Sequence, residues 1–578
     1  MTVHRFATEQ ERLVWELTPR PGWIASPDGP LMAWYHPPAR PSAGPAVLLC
    51  DTLGSDRMNL HLAYRHLALQ LAWAGFPVLR IDYAGTGDSA GGPRDPGRLG
   101  AWLRSLGCGA DHLRSVSGAS ELVVFGALFG ASLGAALASQ RADVTGLVAW
   151  GGYARGREFV RELRAVERLS GANPKGRRPA SWQDGDLESL GFLFTAETVR
   201  SLEAFDLAQL GRGGLRRVCL LPWDEHERDR GLGEAAEAWG VEVERHPSAP
   251  SSGSASLERQ AVPDGVIAAT LSWLAGHASA PPRTGTEPAF PSSVRVTSRN
   301  APTPLVESCL WMGAERSVFG ILTEHAAGHR DAPDLLADAG PAPTGVILVN
   351  GGNNHRAGIN RNYTQWARAW AGEGVSVLRL DIRGLGDSPP ARARDLNVLY
   401  RAETAGDVIA AMDWLERHRG IRRFVLGGLC GGAFQALHAA RRDRRVVGLW
   451  LLELLRFYHE ERSWHVRLSR RLRRVARRSL APAGLTPAII DTPLGRWLRA
   501  QCAGRGVRVL ALYRRNEPMR QAFHDELATA ARPLARTGRF KEYTFDESNH
   551  IFSPLWSQEE LGRVLADHLA GLVADADR

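Results

Sequence analysis

Cys430 stands in the string Gly428-Leu429-Cys430-Gly431-Gly432, directly after the apolar run RFVLG. A nucleophile flanked by glycines between a strand and a helix is held on a sharp, strained turn, where larger neighbours would collide with either element. At such a turn a thiol is a nucleophile once its proton is removed. The helix starting beside it presents its positive end to the sulfur. His550, in KEYTFDESNHIFS near the end of the chain, is the expected base. Glu517, ahead of Pro518 in VRVLALYRRNEP, is the expected carboxylate orienting the imidazole, and Glu453 at the end of LWLLEL is the reserve. Oxyanion donors are expected at the N–H of Gly431 and in the loop after VILVN, at Gly352 or Asn353. Together these groups predict acyl transfer through a covalent thioester.

The elements that must position these residues occur twice. GFPVLRIDYAGTGDSAG begins at Gly75 and GVSVLRLDIRGLGDSPP at Gly374, so Asp82 and Asp88 match Asp381 and Asp387 at an offset of 299 (381 − 82, 387 − 88). LVVFGALFGA and FVLGGLCGGA, then VTGLVAW and VVGLWLL, match at an offset of 302 (448 − 146). Each copy reads as short β-branched runs alternating with amphipathic helices, which implies a mostly parallel sheet covered on both faces. A strand, a nucleophile turn and a helix in the order Cys, acid, His is the pattern of the α/β-hydrolase fold. The expected architecture is two tandem α/β-hydrolase domains, residues 1–276 and 294–578, joined by a Pro- and Ser-rich linker over 277–293. A helical lid is expected in the second. The repeat also assigns the uncharged stretch Leu122–Gln140, long enough for a membrane span, to a strand, a turn and a helix.

The first copy contains a GxSxG string, Gly130-Ala131-Ser132-Leu133-Gly134. The offset argues against it, because Cys430 pairs with Leu128 (430 − 302) and Ser132 falls one turn into the following helix. His246 sits in the strand-like part of VEVERHPSAP, and Pro250 falls opposite His550. The first copy is thus expected to lack both nucleophile and base.

The second half resembles the exosortase A system-associated hydrolases, on GGNNHRAGINRNY (Gly351 to Tyr363), DIRGLGDS and GLCGG. That family's cysteine elbow maps onto Cys430, and its two loop arginines onto Arg356 and Arg361. The first half resembles a related serine-aminopeptidase-like branch, on RIDYAGTGDSAG and GGYARGREFVRELRA, a branch that often lacks the elbow serine. The resemblance implies a hydrolase associated with exopolysaccharide and export loci, and no particular substrate.

The net charge is +9, and the eight arginines between Arg462 and Arg478 supply +8 of it without an acid among them. A global basic surface for nucleic acid is therefore not expected. The segment reads as a lid helix that faces solvent, an anionic acyl carrier or an anionic membrane surface. Arg356 and Arg361 are expected to bind an anionic part of the substrate, since guanidinium forks suit carboxylate and phosphate. Six scattered cysteines without a CxxC pair, an N-terminus without an apolar signal core and no phosphate or dinucleotide loop lead us to expect a cytoplasmic protein. No cofactor and no metal are expected. The expected function is hydrolysis of an ester, thioester or lactone, small or carrier-bound; the alternatives are acyl transfer at the same site or a non-catalytic binding scaffold. Ser132→Ala should leave esterase turnover nearly unchanged while Cys430→Ala abolishes it; a silent Ser132→Ala beside an active Cys430→Ala would reverse the assignment.

Overall fold

The computed structural model describes residues 17–40, 44–171, 173, 175–223, 229–246, 264–276, 290–298, 301–328, 343–352, 354–392, 395–458, 492–527 and 530–574. The first half supplies β1 (Arg20–Ile24), β2 (Leu31–His36), β3 (Ala46–Cys50), β4 (Val78–Ile81), β5 (Leu122–Ala127), β6 (Val144–Trp150), β7 (Leu187–Ser189), β8 (Phe192–Phe194), β9 (Arg217–Leu221) and β10 (Glu242–Arg245). The second supplies β11 (Ser293–Ser298), β12 (Ala301–Met312), β13 (Val318–His325), β14 (Thr344–Val349), β15 (Ser376–Asp381), β16 (Arg423–Leu429), β17 (Val446–Leu452), β18 (Arg508–Arg514) and β19 (Phe540–Phe545).

One sheet has the order β1-β2-β4-β3-β5-β6-β9-β10 and the other β11-β12-β13-β15-β14-β16-β17-β18-β19; β7 and β8 form a separate hairpin. In each, the strands before the swapped pair run antiparallel and the rest parallel. Leaving out the edge strand β11, the second order repeats the first: this is the α/β-hydrolase fold, present twice. The central parallel strands are buried on both faces, as VTGLVAW of β6 and VVGLWLL of β17 require with their near-continuous apolar character. Leu122–Gln140 is β5 followed by the helix Phe129–Ser139. No helix among the described residues is long and apolar enough to cross a membrane.

The two halves meet at their GxGDS turns. Within each turn the serine hydroxyl donates to the carbonyl of the aspartate ending the strand, Ser89 to Asp82 and Ser388 to Asp381, both at 2.6 Å. The same hydroxyls accept the N–H of Met32 and of Phe319, both at 2.8 Å. The turn's own aspartate then reaches across. Arg80 of β4 pairs with Asp387 at 2.7 Å, and its repeat mate Arg379 of β15 (379 − 80 = 299) pairs with Asp88. Arg356 joins both turns, 2.7 Å from Asp88, 2.9 Å from Asp381 and 2.8 Å from Asp387. Arg379 and Arg368 also hold Glu307, at 3.0 and 2.7 Å. All of these carboxylates are at most 1% exposed. Burial pushes the carboxyl of Asp88 upward, but Arg356 and Arg379 outweigh it and hold the group below the usual carboxylate range. Beside them the rings of His61 and His355, one from each half, stack at 4.5 Å.

Breaking a buried ion pair leaves a charge in a medium that cannot solvate it. Arg379→Met should therefore cost about 3–5 kcal/mol in urea denaturation. The exposed helical pair Arg563–Asp567, at 3.4 Å, is the control, and Arg563→Ala should cost less than about 0.5 kcal/mol.

Candidate functional site

Cys430 follows β16 with φ 54 and ψ −108, and the helix Gly431–Ala440 starts at the next residue. Two crowded glycines make the turn feasible. A Cβ at Gly428 would lie 2.6 Å from the Val349 carbonyl oxygen, and one at Gly432 only 2.4 Å from the same oxygen. The first half repeats the geometry without the chemistry: Leu128 has φ 51 and ψ −126, and the helix Phe129–Ser139 follows. Ser132 is fully buried inside that helix, where its hydroxyl donates to the Tyr153 carbonyl at 2.7 Å and accepts the Tyr153 N–H at 3.0 Å. Pro250 lies outside the described residues.

His550 lies between Cys430 and Glu453. Its Nδ1 is 3.3 Å from Glu453 Oε2, and the Cys430 sulfur lies close enough to raise its proton affinity. Burial alone would lower the imidazole's proton affinity, but the hydrogen bonds to Cys430 and Glu453 outweigh it and push His550 up to about 10. Glu453 is completely buried, directly after β17, with a positive φ of 47. Its other oxygen accepts the Arg514 N–H at 2.6 Å. Burial raises its carboxyl, and the contact with His550 opposes that. The repeat mate of Glu453 is Gly151 (453 − 302), so the first half lacks this carboxylate too.

Glu517 was expected beside the imidazole, with Glu453 in reserve, and the geometry reverses that order. Glu517 turns to Arg514, 2.6 Å from Nη2 and 2.8 Å from Nε, and accepts the Met519 N–H at 3.2 Å. A carboxylate three residues from an arginine on a tight turn closes a local pair. Glu453 emerges from the strand next to the one bearing the nucleophile, and the arginine three residues on, Arg456, lies over the Tyr400 ring. Glu453, Glu517 and His550 each present a ligand atom within 4.8 Å of the others. A cation there would have to displace the Arg514 guanidinium from Glu517 and the imidazole from Glu453, so the donor set is a poor fit for a metal.

The expected oxyanion donors are partly placed. Gly431 opens the helix behind Cys430, and Gly352, with φ 57, lies in the loop after β14; Asn353 lies outside the described residues. The arginines expected to bind substrate are engaged elsewhere. Arg356 is enclosed by the three aspartates of the interface. Arg361 donates to the carbonyls of Gly87 and Gly91, each at 2.8 Å, and to that of Ser89. The reason is tertiary: the loop bearing them is where the first half docks, and two buried guanidinium groups find their acceptors in its GxGDS turn. The arginine segment 462–478 lies outside the described residues, as does most of the linker.

Sequence reasoning missed two features. The Tyr400 hydroxyl lies 3.0 Å from the Cys430 sulfur, and nothing in the local sequence marks it. The second is a contribution from the first half to the histidine loop. Glu188 of β7 accepts the Leu555 N–H at 2.8 Å, and the Gly191 carbonyl accepts from Gln558 at 2.9 Å. A Cβ on Gly191, whose φ is +82, would lie 1.9 Å from the Ser553 carbonyl oxygen. Lys175 pairs with Glu547, and the Arg177 guanidinium lies 3.6 Å from the Trp556 ring centre.

Residues 341–539 match the family described as Serine aminopeptidase, S33. The match lies within the second half and spans β14 to β18 with the turn at Cys430. No curated protein matches the sequence. Among solved structures, the esterase Pf2001 of Pyrococcus furiosus is 14% identical, covering 48% of this chain and 98% of its own with a TM-score of 0.31. The hypothetical protein PA2218 of Pseudomonas aeruginosa is 15% identical over 48% and 99%, with a TM-score of 0.34. Est1E of Butyrivibrio proteoclasticus is 13% identical over 44% and 98%, with a TM-score of 0.32.

Glu188 gives the docking of the hairpin a pH dependence. Burial pushes its carboxyl up to about 7, against the opposing Leu555 N–H and the Arg178 guanidinium at 3.9 Å. A carboxyl raised on folding contributes stability that is full below its unfolded value and is lost as pH rises through about 7. Asp51, raised to about 6 by burial, titrates in the same window, so the readout is a difference between proteins. Glu188→Gln keeps an acceptor for Leu555 without the charge. Its Tm should match wild type at pH 5 and exceed it by about 2–4 °C at pH 8; parallel curves would sink the assignment.

Proposed function

We propose that the second half hydrolyses an ester, thioester or lactone through a thioester on Cys430, with His550 as proton carrier and Glu453 as the carboxylate that orients it. The observation carrying this reading is the line Cys430–His550–Glu453, with the sulfur on a strained turn at the start of a helix. An imidazole pushed up to about 10 holds its proton at neutral pH; in the reactive state proposed here the sulfur has given up its proton and stands as a thiolate beside that imidazolium.

The steps follow from that state. The thiolate attacks the carbonyl carbon, and the carbonyl π pair moves to oxygen, toward the Gly431 N–H. The tetrahedral adduct collapses and expels an alkoxide or thiolate, which takes the proton from His550. Water then attacks the Cys430 thioester and yields its proton to His550. The second adduct collapses to the carboxylic acid and the free thiolate. Glu453 keeps the proton-bearing Nδ1 facing itself, leaving the other nitrogen for the sulfur and the leaving group. Transfer to an acceptor hydroxyl or amine uses the same intermediate. The first half, with Leu128 and Gly151 where nucleophile and acid would stand, is a non-catalytic copy that supports the histidine loop.

Two measurements test this. Iodoacetamide should label Cys430 ahead of Cys50, Cys108, Cys219, Cys309 and Cys502, whose thiols are all raised by burial. On a panel of p-nitrophenyl esters and acyl-CoA thioesters, Glu453→Gln should lower kcat by about 10²-fold or more, and Glu517→Gln should cost far less. A larger loss for Glu517→Gln would return the orienting role to that residue. A wild-type protein that turns over nothing and labels no cysteine selectively would favour a binding scaffold.

A further inference from the structure

The segment between β15 and the helix Ala405–Arg419 brings a phenol to the nucleophile, and the steps above leave it unused. The Tyr400 hydroxyl is 3.0 Å from the Cys430 sulfur. Its position is built in from the nucleophile's own helix. Gln435, fully buried just over one turn beyond Cys430, donates to the carbonyls of Leu399 and of Arg401, both at 3.2 Å. Both residues flanking Tyr400 are thus tied to the element that carries the sulfur. Arg401 is anchored further by Asp395 at 3.1 Å. The phenol ring meets Phe434 edge to face at 5.2 Å, and the Arg456 guanidinium lies 4.5 Å from the ring centre. The same segment runs past Gly431: a Cβ on that glycine would sit 3.5 Å from the Leu399 Cβ. The segment bearing Tyr400 thus passes both the sulfur and the first residue of the nucleophile's helix.

The direction of the hydrogen bond follows from the partner. Once the sulfur is a thiolate it has only lone pairs to offer, so in the reactive state the phenol O–H donates.

We propose that Tyr400 is a catalytic residue whose hydroxyl donates to the Cys430 thiolate before its attack and then to the oxyanion formed by it. As the carbon–sulfur bond forms, negative charge leaves sulfur and gathers on the former carbonyl oxygen. The hydroxyl follows that charge, beside the Gly431 N–H, with no proton transferred. When the adduct collapses the oxygen becomes a neutral carbonyl, and the hydroxyl returns to sulfur once water has released it. The inference rests on the acyl-enzyme reading of this site.

Tyr400→Phe tests it, since the ring, its packing on Phe434 and its contact with Arg456 all remain. Turnover of the best ester or thioester from the panel should fall about 10²-fold in kcat, with KM changed far less. The pH profile of Cys430 alkylation by iodoacetamide should move up by about one unit, because the thiolate loses a donor. A kcat within about twofold of wild type together with a superimposable alkylation profile would overturn the proposal and leave Tyr400 as packing. These outcomes separate from failure of the parent reading. If the wild-type protein lacks turnover and Cys430 labels no faster than Cys108, the acyl-enzyme scheme itself falls. A shifted alkylation profile in Tyr400→Phe needs no substrate and reports on the phenol–sulfur bond alone.

Discussion

Four buried guanidinium groups, Arg80, Arg356, Arg368 and Arg379, meet four buried carboxylates, Glu307, Asp88, Asp381 and Asp387, between the two halves. The cluster is neutral as a whole and tolerable only while complete, because any member left alone would carry an unsolvated charge. Its members come from both copies of the repeat, and Arg80–Asp387 and Arg379–Asp88 are the same contact made in the two directions. Such reciprocity is the mark of a self-complementary, two-fold interface, realised here within one chain. Apolar residues close one side of it: Trp23, Met32 and Trp34 pack with Cys309, Phe319 and Ile321.

The reacting groups depend on that junction. The loop after β14, which carries Gly352, continues into Arg356 and Arg361, and both are held by the first half's turn. The loop after β19, which carries His550, leads into Ser553, Leu555 and Gln558, and all three touch the β7–β8 hairpin. The two loops that carry the proposed base and oxyanion donor are thus braced from outside their own sheet. Loops positioned by a rigid scaffold are where catalytic residues are usually found. Here part of the scaffold is a second copy of the same fold.

The first half also shows how a strained turn outlasts its chemistry. Leu128 keeps the positive φ of a nucleophile elbow although a leucine gains nothing from it there. The crowding around the turn explains this. A Cβ at Gly130 would lie 2.3 Å from the Cys50 carbonyl oxygen, so strand and helix leave room for one backbone path whatever side chain sits at its apex. The strain belongs to the sheet-to-helix connection, and the catalysis proposed for the second half would make use of it.

Local pattern by itself determined the two-fold repeat, the strand and helix alternation, the elbow at Cys430, its empty mate at Leu128 and the exclusion of Ser132. Each of these is written in short-range spacing: glycines at fixed distances, β-branched runs of strand length, and an offset that changes only from 299 to 302. His550 was legible for the same reason, as the histidine following the last strand. The partners of these groups were decided by tertiary structure. Glu453 rather than Glu517 faces the imidazole because adjacent parallel strands bring the ends of β16 and β17 together, whereas Arg514 captures its neighbour on a turn. Arg356 and Arg361 read as anion binders until the docked turn of the other half supplied their acceptors. Tyr400 reaches the sulfur across thirty positions of sequence because Gln435 pins its segment to the nucleophile's helix. Spacing along a chain specifies which backbone conformations neighbouring residues adopt; which charge meets which is settled only when the sheets have closed and water has been removed from between them.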